Sequence, residues 1–159
     1  MNHLLQVPLV LGLAAAFLPA QTLFTSQTTQ SLGDGCNAVS TGYCKFLSQP
    51  TTLNAQFDAS AGTVTLTLSA QEHCGATVPV ALLALGTQPS AILLPAFGPD
   101  CVLRLLPILV LANGNDPFVL PLPPGMTSLT FLAQGAALSV DPVGNAVVTT
   151  SDALAITLQ

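Results

Sequence analysis

Residues 52–69 read Thr-Leu-Asn-Ala-Gln-Phe-Asp-Ala-Ser-Ala-Gly-Thr-Val-Thr-Leu-Thr-Leu-Ser, and they decide the fold class. Leu53, Ala55 and Phe57 alternate with Asn54, Gln56 and Asp58, and Val64, Leu66 and Leu68 alternate with Thr63, Thr65, Thr67 and Ser69. A period of two places each apolar set on one face of a strand, so both segments read as strands with one dry side. Ser60-Ala61-Gly62 between them supplies turn residues, and the pair predicts a β-hairpin. The β-branched residues Thr63, Thr65 and Thr67 fall on the wet face. A row of Thr can bind a flat repeating surface, but it is also what a solvated strand shows.

The same grammar continues downstream. Val78 to Leu85 is apolar throughout and suits a strand covered on both faces, with two-sided pairing beginning after Pro79. Pro89, Pro95 and Pro99 are expected to break up a Leu-rich connection, Ile92-Leu93-Leu94, running along an edge. Cys101 to Leu111 resumes as a strand with a bulge or bend at Pro107. Phe118-Val119-Leu120 is a short strand, followed by a break at Pro121, Pro123 and Pro124-Gly125. Leu129 to Val140 and Ala146 to Leu158 are long strands, the second with a bulge or turn at Ser151-Asp152. Upstream, Gln21 to Gln49 is polar and rich in Gly, Ser and Thr. It contains the Gly33-Asp34-Gly35-Cys36 turn and reads either as a first edge strand starting near Phe24 or as an irregular arm.

Roughly seven to nine short strands with Pro/Gly/Asn turns, and no helical period beyond the N-terminus, predict an all-β chain. The expected architecture is a single antiparallel β-sandwich of the immunoglobulin-like, Greek-key type. The expected organisation is a leader at 1–20, a polar segment at 21–51 tethered by disulfides and packed on the rest, and the sandwich at 52–159.

Residues 1–20 have an apolar core from Val7 to Leu18 and end in Pro19-Ala20 before Gln21-Thr22. This fits a secretory signal peptide cut after Ala20, although its start carries no Lys or Arg. The apolar run is too short for a comfortable membrane span, so no membrane insertion is expected after cleavage. The implied location is secreted, extracellular or at the cell surface, with the periplasm as the other oxidising compartment. There, Cys36, Cys44, Cys74 and Cys101 read as two disulfides in one of three pairings. Zinc would want close Cys pairs, and no CxxC is present.

The chain has 159 residues, of which 50% are hydrophobic and only 6% charged, with net charge −5. Binding nucleic acid or an anionic membrane requires several Lys or Arg to displace counterions, so both partners are excluded. Beyond the leader, chemistry rests on His73, Lys45, Arg104 and Tyr43. These four lie close in sequence to cysteines and form one candidate surface patch. Glu72-His73-Cys74 brings three reactive residue types together. A bridged Cys74 removes the nucleophile, however, and no GxSxG elbow offers a Ser instead. Asn113-Gly114-Asn115-Asp116 and Asp141-Pro142-Val143-Gly144-Asn145 carry oxygens suited to Ca²⁺, but each has one carboxylate and turn chemistry explains both. No catalytic residue, metal ligand or cofactor is therefore assigned.

The run GPDCVLRLLPILVL at 98–111, and PFVLPLPPGMTSLTFLAQGAALSVDPVGNAVVTTSDALAITL at 117–158, resemble a C-terminal module of exported proteins from planctomycetes and other environmental bacteria. The matching pieces are Asp100-Cys101-Val102-Leu103, Leu120-Pro121-Leu122-Pro123 and Ser128 to Gln134. Asp141-Pro142, Ser151 to Leu158, the ALLALGTQP strand from Ala81 to Pro89 and the Gly33-Asp34-Gly35-Cys36 opening match as well. Asp100 departs from the Gly usual in that module, and the Cys-containing N-terminal insert is longer. The resemblance covers Gly33 to Leu158. It implies a secreted β-sandwich of unassigned function with no catalytic residues, and its usual cysteine pair points to the nested pairing, Cys36–Cys101 with Cys44–Cys74.

These readings lead to the expectation of a non-enzymatic structural or interaction module whose partner is a protein, itself or another cell-surface protein. Scarce surface charge leaves sheet edges without their usual charged protection, which favours self-association. The alternative is a cell-surface or matrix glycan-binding module, and a small secreted hydrolase is the remote one.

Overall fold

The computed structural model describes residues 24–36, 51–69, 77–95, 100–114, 117–140, 143–144 and 146–159. Its strands are β1 (Gln27–Gly33), β2 (Thr52–Asp58), β3 (Thr63–Ser69), β4 (Thr77–Leu93), β5 (Val102–Asn113), β6 (Phe118–Pro121), β7 (Leu129–Val140) and β8 (Ala146–Leu158). They form a five-stranded sheet in the order β1-β8-β7-β4-β5 and a three-stranded sheet in the order β2-β3-β6. Every pairing between named strands is antiparallel.

The order β2-β3-β6 against β8-β7-β4 is the A-B-E and G-F-C arrangement of immunoglobulin-like sandwiches. The strand before β6 joins β4 here rather than flanking β6, and β1 adds a further strand beside β8. The small sheet is therefore one strand short of its usual width.

Alternation places the core as the sequence predicts. Leu53, Val64 and Leu66 of the small sheet meet Leu83, Leu85, Ala133, Leu154, Ile156 and Leu158 of the large one. Phe24 closes one end edge-on against Phe57, their ring centroids 6.2 Å apart. Leu66, Leu83, Ile156 and Leu158 are fully buried. Each such side chain contributes about 1.5–3 kcal/mol, more than a typical hydrogen bond, so the apolar period dictates the architecture. In the hairpin β2–β3, Asp58 pairs with Thr63 and Gly62 supplies a positive φ of 62°. Thr67 is exposed, while Thr63 and Thr65 are half-buried.

One expectation is corrected. Ile92 and Leu93 are not in a connection, because β4 continues through Pro89 to Leu93 against β5. Proline is tolerated there because pairing with β7 stops at Gly86–Leu132, leaving β4 a single neighbour beyond that point. Bulges absorb the strain. The β4–β5 register shifts around Gly86, opposite Pro107, and again between Pro89 and Ile92. The shift between Thr77 and Val80 falls at Pro79, and the one between Gln134 and Ala136 reflects an extra residue of β8 at Ser151-Asp152. The first strand begins at Gln27 rather than at Phe24, with Thr25 and Ser26 donating to Gln159 O ahead of it.

Candidate functional site

The Gly33–Cys36 segment sits on the large sheet for reasons visible atom by atom. Gly33 has φ 135° and a Cβ there would strike the Arg104 side chain, while a Cβ on Gly35 would lie 1.9 Å from Thr150 O. Cys36 N donates to Thr150 Oγ1 at 2.9 Å, and Thr150 N donates to Cys36 O at 3.0 Å. Cys36 is disulfide-bonded to Cys101, 65 residues on, with the Cα atoms 5.0 Å apart.

Arg104 lies beside this bridge. Its Nε donates to Asp34 O at 3.5 Å, and its main-chain N donates to Gln134 Oε1 at 2.8 Å. Tyr43, Lys45, His73, Cys44 and Cys74 lie outside the described residues, as do residues 1–20, Asn115, Asp116, Asp141, Pro142 and Asn145. Of the four-residue patch, the structure therefore places Arg104, its side chain against the Asp34 carbonyl. Among the described residues there is no His, Lys, Glu or Tyr, and no group of three side chains that could hold a metal ion. Among the same residues no helix is long and apolar enough to cross a membrane.

A recess of about 240 Å³ lies between Ser31, Asp34, Thr51, Thr52 and Asp152, all polar residues. Its carboxylate Asp152 already accepts a hydrogen bond from Leu53 N at 3.2 Å.

No protein-family model, curated protein or solved structure matches the chain. Its surface must therefore be read from its own geometry, and in a sandwich the informative geometry is at the sheet edges.

Two edges belong to the small sheet, and both are obstructed. Antiparallel strands turn alternate residues toward and away from a neighbour. On β2 two outward backbone groups are taken by side chains of the other sheet: Leu53 N by Asp152, and Ala55 O by Gln27 Nε2 at 3.0 Å. On β6, Leu122 N donates to Gly62 O at 2.9 Å, which turns Phe118, Leu120 and Leu122 toward β3. Pro117, Val119, Pro121 and Pro123 thus face outward, and of these Val119 alone has an N–H. That edge cannot support a new ladder.

The large sheet ends at β1 and β5. Along β1, Thr28, Thr29, Gln30 and Ser31 are exposed and polar. By contrast β5, VLRLLPILVLAN, carries one charge, Arg104, at its start. Leu106 is 48% exposed, Ile108 71%, Leu109 48% and Val110 57%. No described strand covers the far side of β5. Beside it, where β4 leaves β7, an apolar cleft of about 400 Å³ opens between Leu85, Ile108, Leu109, Leu120, Leu122 and Phe131.

Sequence reasoning gave Gln134 no structural role and did not single out the β5 edge. A lone Gln within Leu129–Val140 reads as a wet-face residue, yet Gln134 is 2% exposed. The signal available for β5 was a strand-length run, Leu105 to Ala112, without a polar residue on either face.

Proposed function

We propose that this chain is an exported, non-enzymatic structural or interaction module that joins a protein partner through the open edge of β5. The observation that carries the reading is the contrast among edges. Side chains cap two groups of β2, prolines blank β6, and β5 presents Leu106, Ile108, Leu109 and Val110 along a side that no described strand pairs. A long, uncharged apolar edge is a template for strand addition, in which main-chain hydrogen bonds give affinity and side chains give selectivity. Export is supported by the leader-like residues 1–20, by the Cys36–Cys101 bridge, which suits an oxidising compartment, and by the resemblance to exported modules.

Sedimentation across a concentration series tests the reading. Association of the mature protein that Ile108→Lys with Val110→Lys abolishes, without loss of β circular dichroism, is expected. A strict monomer at the highest attainable concentration, together with no cross-linking of β5 to any other surface protein, overturns it.

A further inference from the structure

We infer that Asn113 is a self-modification site: the main-chain nitrogen of Gly114 attacks its carboxamide, and the chain converts there to aspartate and isoaspartate, setting a carboxylate on the open edge of β5. The site stands on its own chemistry, and its effect on docking rests on the edge reading above.

Asn113-Gly114 is the one Asn-Gly step in the chain. Gly114 N donates to Asn113 Oδ1 at 2.9 Å, which sets the nitrogen beside the carboxamide it must attack. Asn113 is the last residue of β5, and both residues are exposed, so water reaches them. A Cβ on Gly114 would meet nothing within 4 Å, which leaves room for the backbone rotation that ring closure requires. The other described asparagine, Asn54, lacks this freedom. Its neighbour Ala55 is paired with Leu66 in the ladder and carries a Cβ beside the nitrogen. Asp34-Gly35 has the same spacing of carboxyl and glycine, but a Cβ at Gly35 would lie 1.9 Å from Thr150 O, so that backbone has no room to turn.

In the step, Gly114 N gives up its proton and bonds to Asn113 Cγ, and the Cγ–Nδ2 bond breaks to release ammonia, leaving a cyclic imide. Water then opens the imide. Opening at Cγ gives aspartate, and opening at the main-chain carbon gives isoaspartate, whose backbone runs through Cγ. Nothing is oxidised or reduced: an amide and water become an acid and ammonia. Asn113 forms the terminal pair of β4–β5 with Ala81. A carboxylate there adds charge to a strand whose sole charge, Arg104, is near its other end, and charge on an edge opposes strand addition. Isoaspartate also lengthens the backbone at that pair and undoes it.

The test follows the full mature chain during incubation at mildly alkaline pH. Chymotryptic peptides are read by fragment mass, and an isoaspartyl methyltransferase marks the isomer. Expected are the amide-to-acid mass gain and the methyl label on Asn113 rather than Asn115, with Asn54 unchanged. Gly114→Val should lower conversion to the level of Asn54, because a β-branched side chain shields the nitrogen. Gly114 has no positive φ and open space around it, so this variant keeps the fold. No mass gain at Asn113, earlier conversion elsewhere, or equal conversion in Gly114→Val overturns the site. Sedimentation of aged parent beside aged Gly114→Val reads the docking effect: the parent should lose association and the variant keep it. A converted parent that associates like the fresh chain overturns that effect and leaves the site standing. A fresh chain that never associates overturns edge docking and the effect with it, while the mass result still decides the site.

Discussion

The carboxamide of Gln134 accepts the main-chain N–H of Arg104 at 2.8 Å, and the same group donates to Val102 O at 3.1 Å and Ser151 O at 3.2 Å. One buried side chain thus ties the start of β5 to the bulge of β8 across β7. Gln134→Leu keeps the volume and strands three backbone groups without partners, at about 1–3 kcal/mol per buried group. Urea unfolding followed by circular dichroism should show a loss of roughly 3 kcal/mol or more, whereas Gln30→Leu on the exposed face of β1 should change little.

Gly35 is required by close approach rather than by dihedral angle. A methyl group there would lie 1.9 Å from Thr150 O and 2.5 Å from Ser151 C, both backbone atoms that cannot swing aside. Gly35→Ala is expected to cost at least the roughly 1–3 kcal/mol typical of overpacking. The Cys36 and Thr150 amides should lose hydrogen-exchange protection first, because the segment must lift from β8.

Cys36 and Cys101 close a loop with a sequence separation of 65. The entropy of closing such a loop corresponds to about 4 kcal/mol of stabilisation. Cys36→Ser with Cys101→Ser should lower the urea midpoint accordingly, and reduction of the native protein should lower it by at least as much. A double variant as stable as the parent would refute a stabilising role for this bridge.

Asp58 sets a pH dependence at the β2–β3 turn. The Ser60 hydroxyl donates to its Oδ1 at 2.6 Å, Ala61 N at 3.0 Å and Ser60 N at 2.8 Å. These bonds favour the charged form and hold its pKa below the ordinary 3.8, the Ser60 hydroxyl contributing most. A lowered folded-state pKa gives stabilisation that is complete above the unfolded value and disappears as pH falls through the folded one. Carbon-13 titration of the Asp58 carboxyl should therefore give a midpoint below 3.8. The difference in Tm between the parent and Asp58→Ala should shrink on going from neutral to strongly acidic pH.

Restoring donors to β6 should open an edge that the native chain closes. Pro121→Val with Pro123→Val returns two outward N–H groups while keeping apolar side chains. Sedimentation should then show species larger than those of the parent, and thioflavin binding should rise on prolonged incubation.

Much of this geometry is local and so was legible. The hairpin 52–69, the spans Leu129–Val140 and Ala146–Leu158 and the bulge at Ser151-Asp152 follow from alternation and from turn residues. Pro89 misled because a proline breaks a ladder only where its N–H would be needed, and β4 has one neighbour at that point. The capping of β2 by Gln27 and Asp152 joins residues 28 and 99 positions apart. Gln134 likewise acts through partners that no periodicity brings together. Such contacts depend on which strands become neighbours, and strand order is set by the whole core rather than by any window of sequence.

The extra residue in β8 also governs what lengths that strand can have. Thr149 and Leu154 are an odd number of positions apart, yet both are buried, paired respectively with Ala137 and Ala133. An uninterrupted strand would have sent one of them to each face. Deleting Ser151 would therefore leave Thr149 and Leu154 an even number of positions apart in an uninterrupted strand and keep Leu154, Ile156 and Leu158 on the core face, whereas deleting one residue elsewhere, with the bend retained, would turn one end of the strand to water. The bend and the residue count of the C-terminal strand are tied, and neither can change without the other.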